Sequence, residues 1–120
     1  MSAPAKILLA EDHLEMAELL CMILQGMGHD VEVVESVTSA LRALEYGRHD
    51  PLISDYRLSD GTALELMQTA RALGATIPGI CLSGYGDEVL ELCLQAGFSL
   101  LLTKPTEEHE LQAAIAKLVP

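Results

Sequence analysis

The stretch ILLAEDH, residues 7–13, ends an apolar run on two adjacent carboxylates. Ile7 to Ala10 predict a buried strand, because four consecutive apolar residues suit a strand that is covered on both faces. Glu11 and Asp12 follow at once, and like charges this close raise each other's pKa unless a positive charge lies between them. The stretch therefore predicts either two solvated acids without a role or a pair that holds a cation.

Short apolar runs and helical patterns alternate along the whole chain. The predicted strands are about 6–10, DVEVVES (30–36), PLISD (51–55), IPGICLS (77–83) and FSLLLT (98–103). Apolar residues at helical spacing follow each strand, and LSDG (58–61) predicts a turn. Ser36 or Thr38 is expected to cap the second helix and Thr106 the last, while the fourth helix is expected over about 87–96.

Five strand–helix units in a row predict an α/β fold with a parallel sheet that is covered by helices on both faces. Because crossovers between parallel strands are right-handed, few topologies are possible. The common one for five units is the flavodoxin-like (βα)5 doubly wound sheet with strand order 2-1-3-4-5. Its switch point lies between the carboxyl ends of the first and third strands, where ligands bind.

Polar side chains stand at the carboxyl ends of four of the five predicted strands. The first strand delivers Glu11 and Asp12, the third Asp55, the fourth Ser83 and the fifth Lys104. Three carboxylates in one cleft repel one another, so a hard divalent cation such as Mg²⁺ is the natural partner. A hydroxyl and an amine opposite them suit an anion that bridges to the metal, most simply a phosphoryl group.

Taken in order along the chain, four motifs resemble the receiver domain of two-component response regulators, of the stand-alone or hybrid-histidine-kinase type. The motifs are ED (11–12), SDYRLSDG (54–61), LSGYGD (82–87) and TKPT (103–106). The resemblance covers essentially the whole chain, and each motif stands at the expected strand end. We therefore expect residues 1–120 to form a single receiver domain.

The resemblance implies a phosphoacceptor and a metal site. Asp55 would accept the phosphoryl group. Asp12 would bind Mg²⁺ directly, Glu11 would act largely through water, and Asp55 and the backbone carbonyl of Arg57 would complete the protein's ligands. Independently, a carboxylate that attacks phosphorus needs its own charge screened and the phosphoryl oxygens stabilised, and a metal and a lysine do both.

The resemblance also implies roles at the ends of the last two strands. Ser83 and Lys104 would contact the phosphoryl oxygens, and the peptide bond between Lys104 and Pro105 would be cis. Ser83 stands where threonine is commoner in the family. Leu101 stands where an aromatic residue or histidine is frequent, which puts the usual output mechanism in doubt.

Two large side chains are expected to flank the path of an attacking water. Arg57 lies two residues past Asp55, and Tyr85 lies two residues past Ser83. Their positions predict a phosphoaspartate that is hydrolysed slowly.

The function implied by the resemblance is signalling, not catalysis on a separate substrate. A histidine kinase or histidine phosphotransfer protein would donate the phosphoryl group from a phosphohistidine. The domain would then switch its interaction with an unknown downstream protein or relay the phosphoryl group. The alternative is a pseudo-receiver, an interaction module that works without phosphorylation.

Other folds and chemistries fit the sequence less well. A haloacid-dehalogenase-like phosphatase needs a second aspartate two residues after its nucleophile, where Arg57 stands. A flavodoxin needs hydroxyls and amides after its first strand, where the acids stand. No G-x-x-x-x-G-K-[ST] motif of a nucleotide-binding loop occurs.

Composition limits the partners and the compartment. Asp and Glu number 18 against 7 Lys and Arg, a formal net charge of −11 that works against binding nucleic acid or an anionic membrane. No apolar run is long enough to span a bilayer, and the amino terminus does not resemble a signal peptide. Three widely spaced cysteines predict buried thiols. We expect a cytoplasmic protein, either a complete regulator or a piece of a hybrid kinase.

Overall fold

The computed structural model describes residues 4–119. The predictions about the extreme amino terminus and about Pro120 lie outside these residues. In chain order the elements are β1 (Lys6–Ala10), α1 (Leu14–Gly26), β2 (Asp30–Val34), α2 (Val37–Tyr46), β3 (Leu52–Asp55), β4 (Arg57–Leu58), β5 (Gly61–Thr62), α3 (Ala63–Ala72), β6 (Gly79–Ser83), α4 (Leu90–Ala96), β7 (Leu100–Thr103) and α5 (Glu108–Leu118).

Five parallel strands form one sheet in the order β2-β1-β3-β6-β7. The short strands β4 and β5 form a separate two-stranded ladder, so β6 and β7 are the fourth and fifth strands of the main sheet. The order therefore confirms the predicted flavodoxin-like topology 2-1-3-4-5. Alternate residues of β1 enter opposite core layers, as the two-residue period of a strand requires. Ile7 and Leu9 join the cluster that holds residues of α1 and α5, whereas Leu8 and Ala10 join the cluster that holds residues of α2, α3 and α4.

The cysteines contribute to these layers as thiols. Cys81 and Cys93 are buried and Cys21 is half-buried, and all three are unbridged. No helix within residues 4–119 combines the length and the apolarity that crossing a bilayer requires.

The segment that follows β3 is more ordered than a simple turn. Arg57–Leu58 pairs antiparallel with Gly61–Thr62, which leaves only Ser59 and Asp60 in the turn. Thr62 then caps α3 by accepting a hydrogen bond from the Glu65 backbone N–H. The sequence predicted the turn but not the two-stranded ladder that closes it.

The start of the fourth helix differs from the prediction. Residues 86–89 form a 3-10 turn, and α4 begins only at Leu90. Its other end contacts α3 through Arg71, whose guanidinium donates to the carbonyls of Ala75 at 3.1 Å and Gly97 at 2.9 Å. Gly97 has a φ of +120°, a conformation that side chains rarely adopt, and it ends α4. One side chain therefore holds the carboxyl ends of both helices.

Two helix caps test the predictions directly. Ser36 caps α2 by accepting from the Ser39 backbone N–H, which confirms one of the two candidates for that role. The prediction of Thr106 as the cap of α5 is wrong. Glu107 is the capping residue, and its backbone N–H donates to the Glu110 carboxylate at 3.1 Å. The Thr106 hydroxyl instead donates to the Thr103 carbonyl.

Candidate functional site

A cleft of about 330 Å³ lies at the carboxyl edge of the sheet. It is lined by Glu11, Asp12, His13, Met16, Asp55, Arg57 and Lys104. Strands β1 and β3 are neighbours in the sheet, so the loops that follow them meet there. The cleft thus occupies the switch point that the topology predicts, and it brings together all but one of the predicted site residues.

Three carboxylates converge in the cleft. Glu11, Asp12 and Asp55 each offer an oxygen, and these oxygens all lie within 4.8 Å of one another. Glu11 is buried, Asp55 is half-buried and Asp12 is exposed. Such a set of oxygen donors, partly open to water, is the kind that Mg²⁺ takes while keeping several of its own waters.

Lys104 supplies the positive charge beside these acids. Its ammonium lies 2.7 Å from Asp55 Oδ1 and 3.8 Å from Glu11 Oε2. The backbone N–H of Lys104 donates to the Ser83 carbonyl at 2.8 Å, which continues the pairing of β6 with β7. The Lys104–Pro105 peptide bond is cis, and this confirms the prediction.

Glu11 carries an unsatisfied oxygen. Its Oε1 accepts from the His13 backbone N–H at 3.2 Å, whereas Oε2 is buried without a hydrogen-bond partner among the described residues. Burial raises the pKa of Glu11, and the charge of Asp55 raises it further, while Lys104 opposes both effects. A divalent cation in the cleft would offset the burial and the repulsion together, so these residues fit the metal that the sequence predicts.

Asp55 is held by two donors. Its Oδ1 accepts from the Tyr56 backbone N–H at 2.9 Å as well as from Lys104. These contacts leave the carboxylate at the floor of the cleft with 15% of its side chain exposed. The geometry gives a carboxylate of fixed orientation beside a cationic group.

Ser83 is the predicted site residue that does not line the cleft. It is completely buried at the end of β6, and its hydroxyl oxygen accepts from the Tyr85 backbone N–H at 2.9 Å. This bond uses only a lone pair of the hydroxyl oxygen, so the hydroxyl can still donate its proton to another acceptor.

Arg57 and Tyr85 contact each other beside the cleft. The Arg57 Nε–H donates to the Tyr85 hydroxyl at 2.7 Å, and the guanidinium carbon lies 5.6 Å from the centre of the ring. Tyr56 packs its edge against Tyr85, with ring centres 5.5 Å apart. The sequence analysis predicted that Arg57 and Tyr85 lie near the site, but it did not predict the hydrogen bond between them. It also missed the packing of Tyr56 against Tyr85, although the position of Tyr56 directly after Asp55 indicated that this residue lies near the site.

The family described as the response regulator receiver domain matches residues 7–116. The chain belongs to this family. The match includes every residue of the cleft, so this chain is a receiver domain of the two-component response regulators, whose general role is to accept a phosphoryl group.

Two curated relatives resemble this receiver domain over most of its length. The response regulator protein TodT of Pseudomonas putida is 30% identical over 118 residues, which are 95% of this chain and 52% of TodT. The transcriptional regulatory protein GlrR of Escherichia coli is 31% identical over 114 residues, 93% of this chain and 26% of GlrR. The chain thus spans about half or less of the length of these relatives.

Solved receiver domains have the same fold. The receiver domain of the sensor histidine kinase PA1611 from Pseudomonas aeruginosa is 30% identical, with a TM-score of 0.87 over 97% of this chain and 98% of that one. That structure holds a magnesium ion in its active-site cleft. A receiver domain from Methylobacillus flagellatus is 25% identical, with a TM-score of 0.88 over 97% of this chain and 99% of that one.

Proposed function

We propose that this receiver domain accepts a phosphoryl group on Asp55 from a phosphohistidine, in a reaction that depends on Mg²⁺. The observation that carries the proposal is the position of the Asp55 carboxylate, 2.7 Å from the Lys104 ammonium and in one cleft with Glu11 and Asp12. A nucleophile beside a cation and a metal-binding pair is the arrangement that phosphoryl transfer to a carboxylate requires.

In the transfer, an oxygen of Asp55 attacks the phosphorus and forms a new O–P bond. The P–N bond of the phosphohistidine breaks, and its electron pair returns to the imidazole nitrogen. No general base is needed, because a carboxylate has no proton to lose. Lys104 stabilises the negative charge on the phosphoryl oxygens, and the Ser83 hydroxyl donates to one of them.

The metal site consists of Asp12, Asp55 and the backbone carbonyl of Arg57, with Glu11 acting largely through water. When bound, Mg²⁺ supplies neutralisation of the clustered carboxylates and of the incoming phosphoryl oxygens. The magnesium ion in the cleft of the PA1611 receiver domain supports this assignment, as does Glu11 Oε2, which is buried and accepts no hydrogen bond within the described residues.

The donor in this proposal is a histidine kinase or a histidine phosphotransfer protein of the cytoplasm. The phosphorylated domain then acts on a downstream protein or passes the phosphoryl group on. The net charge of −11 favours partners with basic docking surfaces over nucleic acid. The domain catalyses its own phosphorylation and dephosphorylation but acts on no separate substrate.

The proposal is tested by incubating the chain with Mg²⁺ and a small acyl phosphate and measuring its intact mass. We expect one added phosphoryl group, none in Asp55→Asn, and unchanged labelling in the control Asp30→Asn, since Asp30 begins β2 at the opposite edge of the sheet. A chelator should abolish the labelling. A wild-type chain that takes up nothing would point to a pseudo-receiver, and equal labelling of Asp55→Asn would exclude Asp55 as the acceptor.

A further inference from the structure

The side chain of Asp60 links the loop after Asp55 to a different helix. Its Oδ1 accepts from the Val37 backbone N–H at 2.6 Å, and its Oδ2 accepts from the Thr38 backbone N–H at 3.1 Å and from the Thr38 hydroxyl at 2.8 Å. These partners lie 22 and 23 residues away in the chain. The Ser36 hydroxyl accepts from one backbone N–H of the first turn of α2, that of Ser39. Asp60 therefore supplies the acceptors for the N–H groups of Val37 and Thr38, which have no partner within the helix.

The turn that carries Asp60 also packs against the start of α2. Leu58 is 7% exposed and belongs to the same core cluster as Val37. A side chain at Gly61 would place its Cβ 3.2 Å from Val37 Cγ2, closer than such contacts normally are. The β4–β5 hairpin therefore rests on α2, and the Asp60 carboxylate fixes it there through hydrogen bonds.

The same hairpin sets the direction of the Arg57 carbonyl. Arg57 pairs with Thr62, and the flanking hydrogen bond runs from the Ala63 N–H to the Tyr56 carbonyl at 2.8 Å. This pattern makes Arg57 and Thr62 a non-hydrogen-bonded pair, in which the backbone N–H and C=O of each residue point away from the partner strand. Since Arg57 lines the cleft with the three acids, the hairpin determines where its carbonyl oxygen lies relative to them.

We propose that Asp60 is a positioning residue for the metal site: it holds the hairpin on α2 and so keeps the Arg57 carbonyl in place as a ligand. The inference rests on the proposed function, which makes that carbonyl part of the Mg²⁺ site. Mg²⁺ requires nearly ideal octahedral geometry, so a ligand carried on a mobile turn binds it poorly. Residues that orient metal ligands affect metal affinity although they never touch the ion.

The test compares Mg²⁺ affinity by titration calorimetry in three variants at one pH and ionic strength. Asp60→Ala removes the link, and we expect binding to weaken about tenfold. Asp60→Asn removes the same charge and keeps one of the two acceptor oxygens, while its amide nitrogen faces a backbone donor. Its affinity should therefore lie between those of Asp60→Ala and the wild type. Ser36→Ala is the matched control, because it removes a cap from the same helix turn without touching the hairpin. It should lower thermal stability and leave the Mg²⁺ affinity unchanged.

Carbonyl ¹³C NMR adds a direct readout. The Arg57 carbonyl signal should shift on addition of Mg²⁺ in the wild type and in Asp60→Asn, and should shift much less in Asp60→Ala at the same concentration. Equal affinity of Asp60→Ala and wild type would overturn the inference. If the two Asp60 variants lost Mg²⁺ affinity equally, the effect would be due to charge. If Ser36→Ala lost as much affinity as Asp60→Ala, the effect would be due to the destabilised start of α2. Either result would overturn the inference. A wild-type chain that binds no Mg²⁺ would instead overturn the proposed metal site itself.

Discussion

Glu11 shows at the residue scale how a site for a cation conflicts with stability. An unsatisfied acceptor in the interior costs about 1–3 kcal/mol. Glu11 Oε2 is buried without a hydrogen bond within the described residues, and the Lys104 ammonium at 3.8 Å offsets part of that cost. The pKa of Glu11 is raised first by burial and then by Asp55, so the charged form is disfavoured in the fold. We infer that the contribution of Glu11 is to bind a cation in the cleft and not to stabilise the fold.

The substitution Glu11→Gln should therefore stabilise the metal-free chain. It removes the buried charge and its repulsion with Asp55, while Lys104 keeps its closer partner. We expect the thermal midpoint in a chelator to rise by about 2–8 °C, which corresponds to roughly 1 kcal/mol for a domain of this size. In excess Mg²⁺ the wild type should gain stability and the variant should gain less. A lower midpoint for the variant in the chelator would contradict this explanation.

The bond between Arg57 and Tyr85 leads to a second prediction at the residue scale. Both side chains lie beside the cleft, and each restrains the other through a 2.7 Å hydrogen bond. A water that hydrolyses phosphoaspartate has to approach past them. We expect the double variant Arg57→Ala, Tyr85→Ala to lose its phosphoryl group several-fold faster, measured as the decay of the phosphorylated mass after the donor is removed.

Tyr85→Phe separates the hydrogen bond from the bulk of the ring. If the bond holds the two side chains over the path, this variant should dephosphorylate at an intermediate rate. Decay at the wild-type rate in the double variant would show that neither side chain obstructs the water.

At the scale of elements, the link between the hairpin and α2 should make stability depend on pH. Hydrogen bonds from the Val37 and Thr38 N–H groups lower the pKa of Asp60 from its ordinary 3.8. A lowered pKa means that the stabilisation is fully present above the ordinary value and is lost as the pH falls through the lowered one. Thermal melts should therefore show Asp60→Ala less stable than wild type by a constant margin above about pH 5, and by a shrinking margin below it.

Ser36→Ala provides the comparison for that experiment. Its hydroxyl does not titrate, so its deficit in thermal midpoint should be the same at every pH. A constant deficit for Asp60→Ala as well would mean that the Asp60 carboxylate contributes nothing through its charge.

Strand β7 carries a prediction about output. Leu101 is half-buried and packs against the core cluster that includes Cys81, Val89 and Cys93. Leaving that position would cost it part of the roughly 1.5–3 kcal/mol that full burial of a leucine provides, and it has no ring or hydroxyl to use at the surface. We expect a beryllofluoride mimic with Mg²⁺ to shift backbone NMR signals mainly around residues 11, 55 and 83–87. Equal shifts along 98–102 and the outer face of α5 would show that β7 transmits the signal without an aromatic residue.

At the scale of the molecule, the sequence predicted the strand order and the position of the cleft. The five strands follow from apolar runs of strand length, and their order follows from the common topology for five such units. The cleft follows from the polar residues at the ends of four of these runs. Glu11, Asp55 and Lys104 could be placed together because parallel strands bring their carboxyl ends to one edge. No side-chain geometry was needed for that step.

The rest depended on contacts between segments that are distant in the sequence. The link from Asp60 to Val37 requires knowing how the hairpin lies on α2, and the orientation of Ser83 is decided by the Tyr85 N–H. The cap of α5 was misplaced by one residue because threonine is a favoured capping residue and glutamate is not. The bond from the Glu107 N–H to the Glu110 carboxylate is the contact that places the cap at Glu107.

Arg71 restrains one end of α4 and not the other. Its guanidinium holds the carbonyl of Gly97 at one end of the helix, while the other end begins in a 3-10 turn that contains Gly86. A helix that is held at its carboxyl end has more freedom to move at its amino end. We expect a change at Asp55 that moves residues 83–89 to tilt α4, with the largest displacement at Leu90 and the smallest at Ala96.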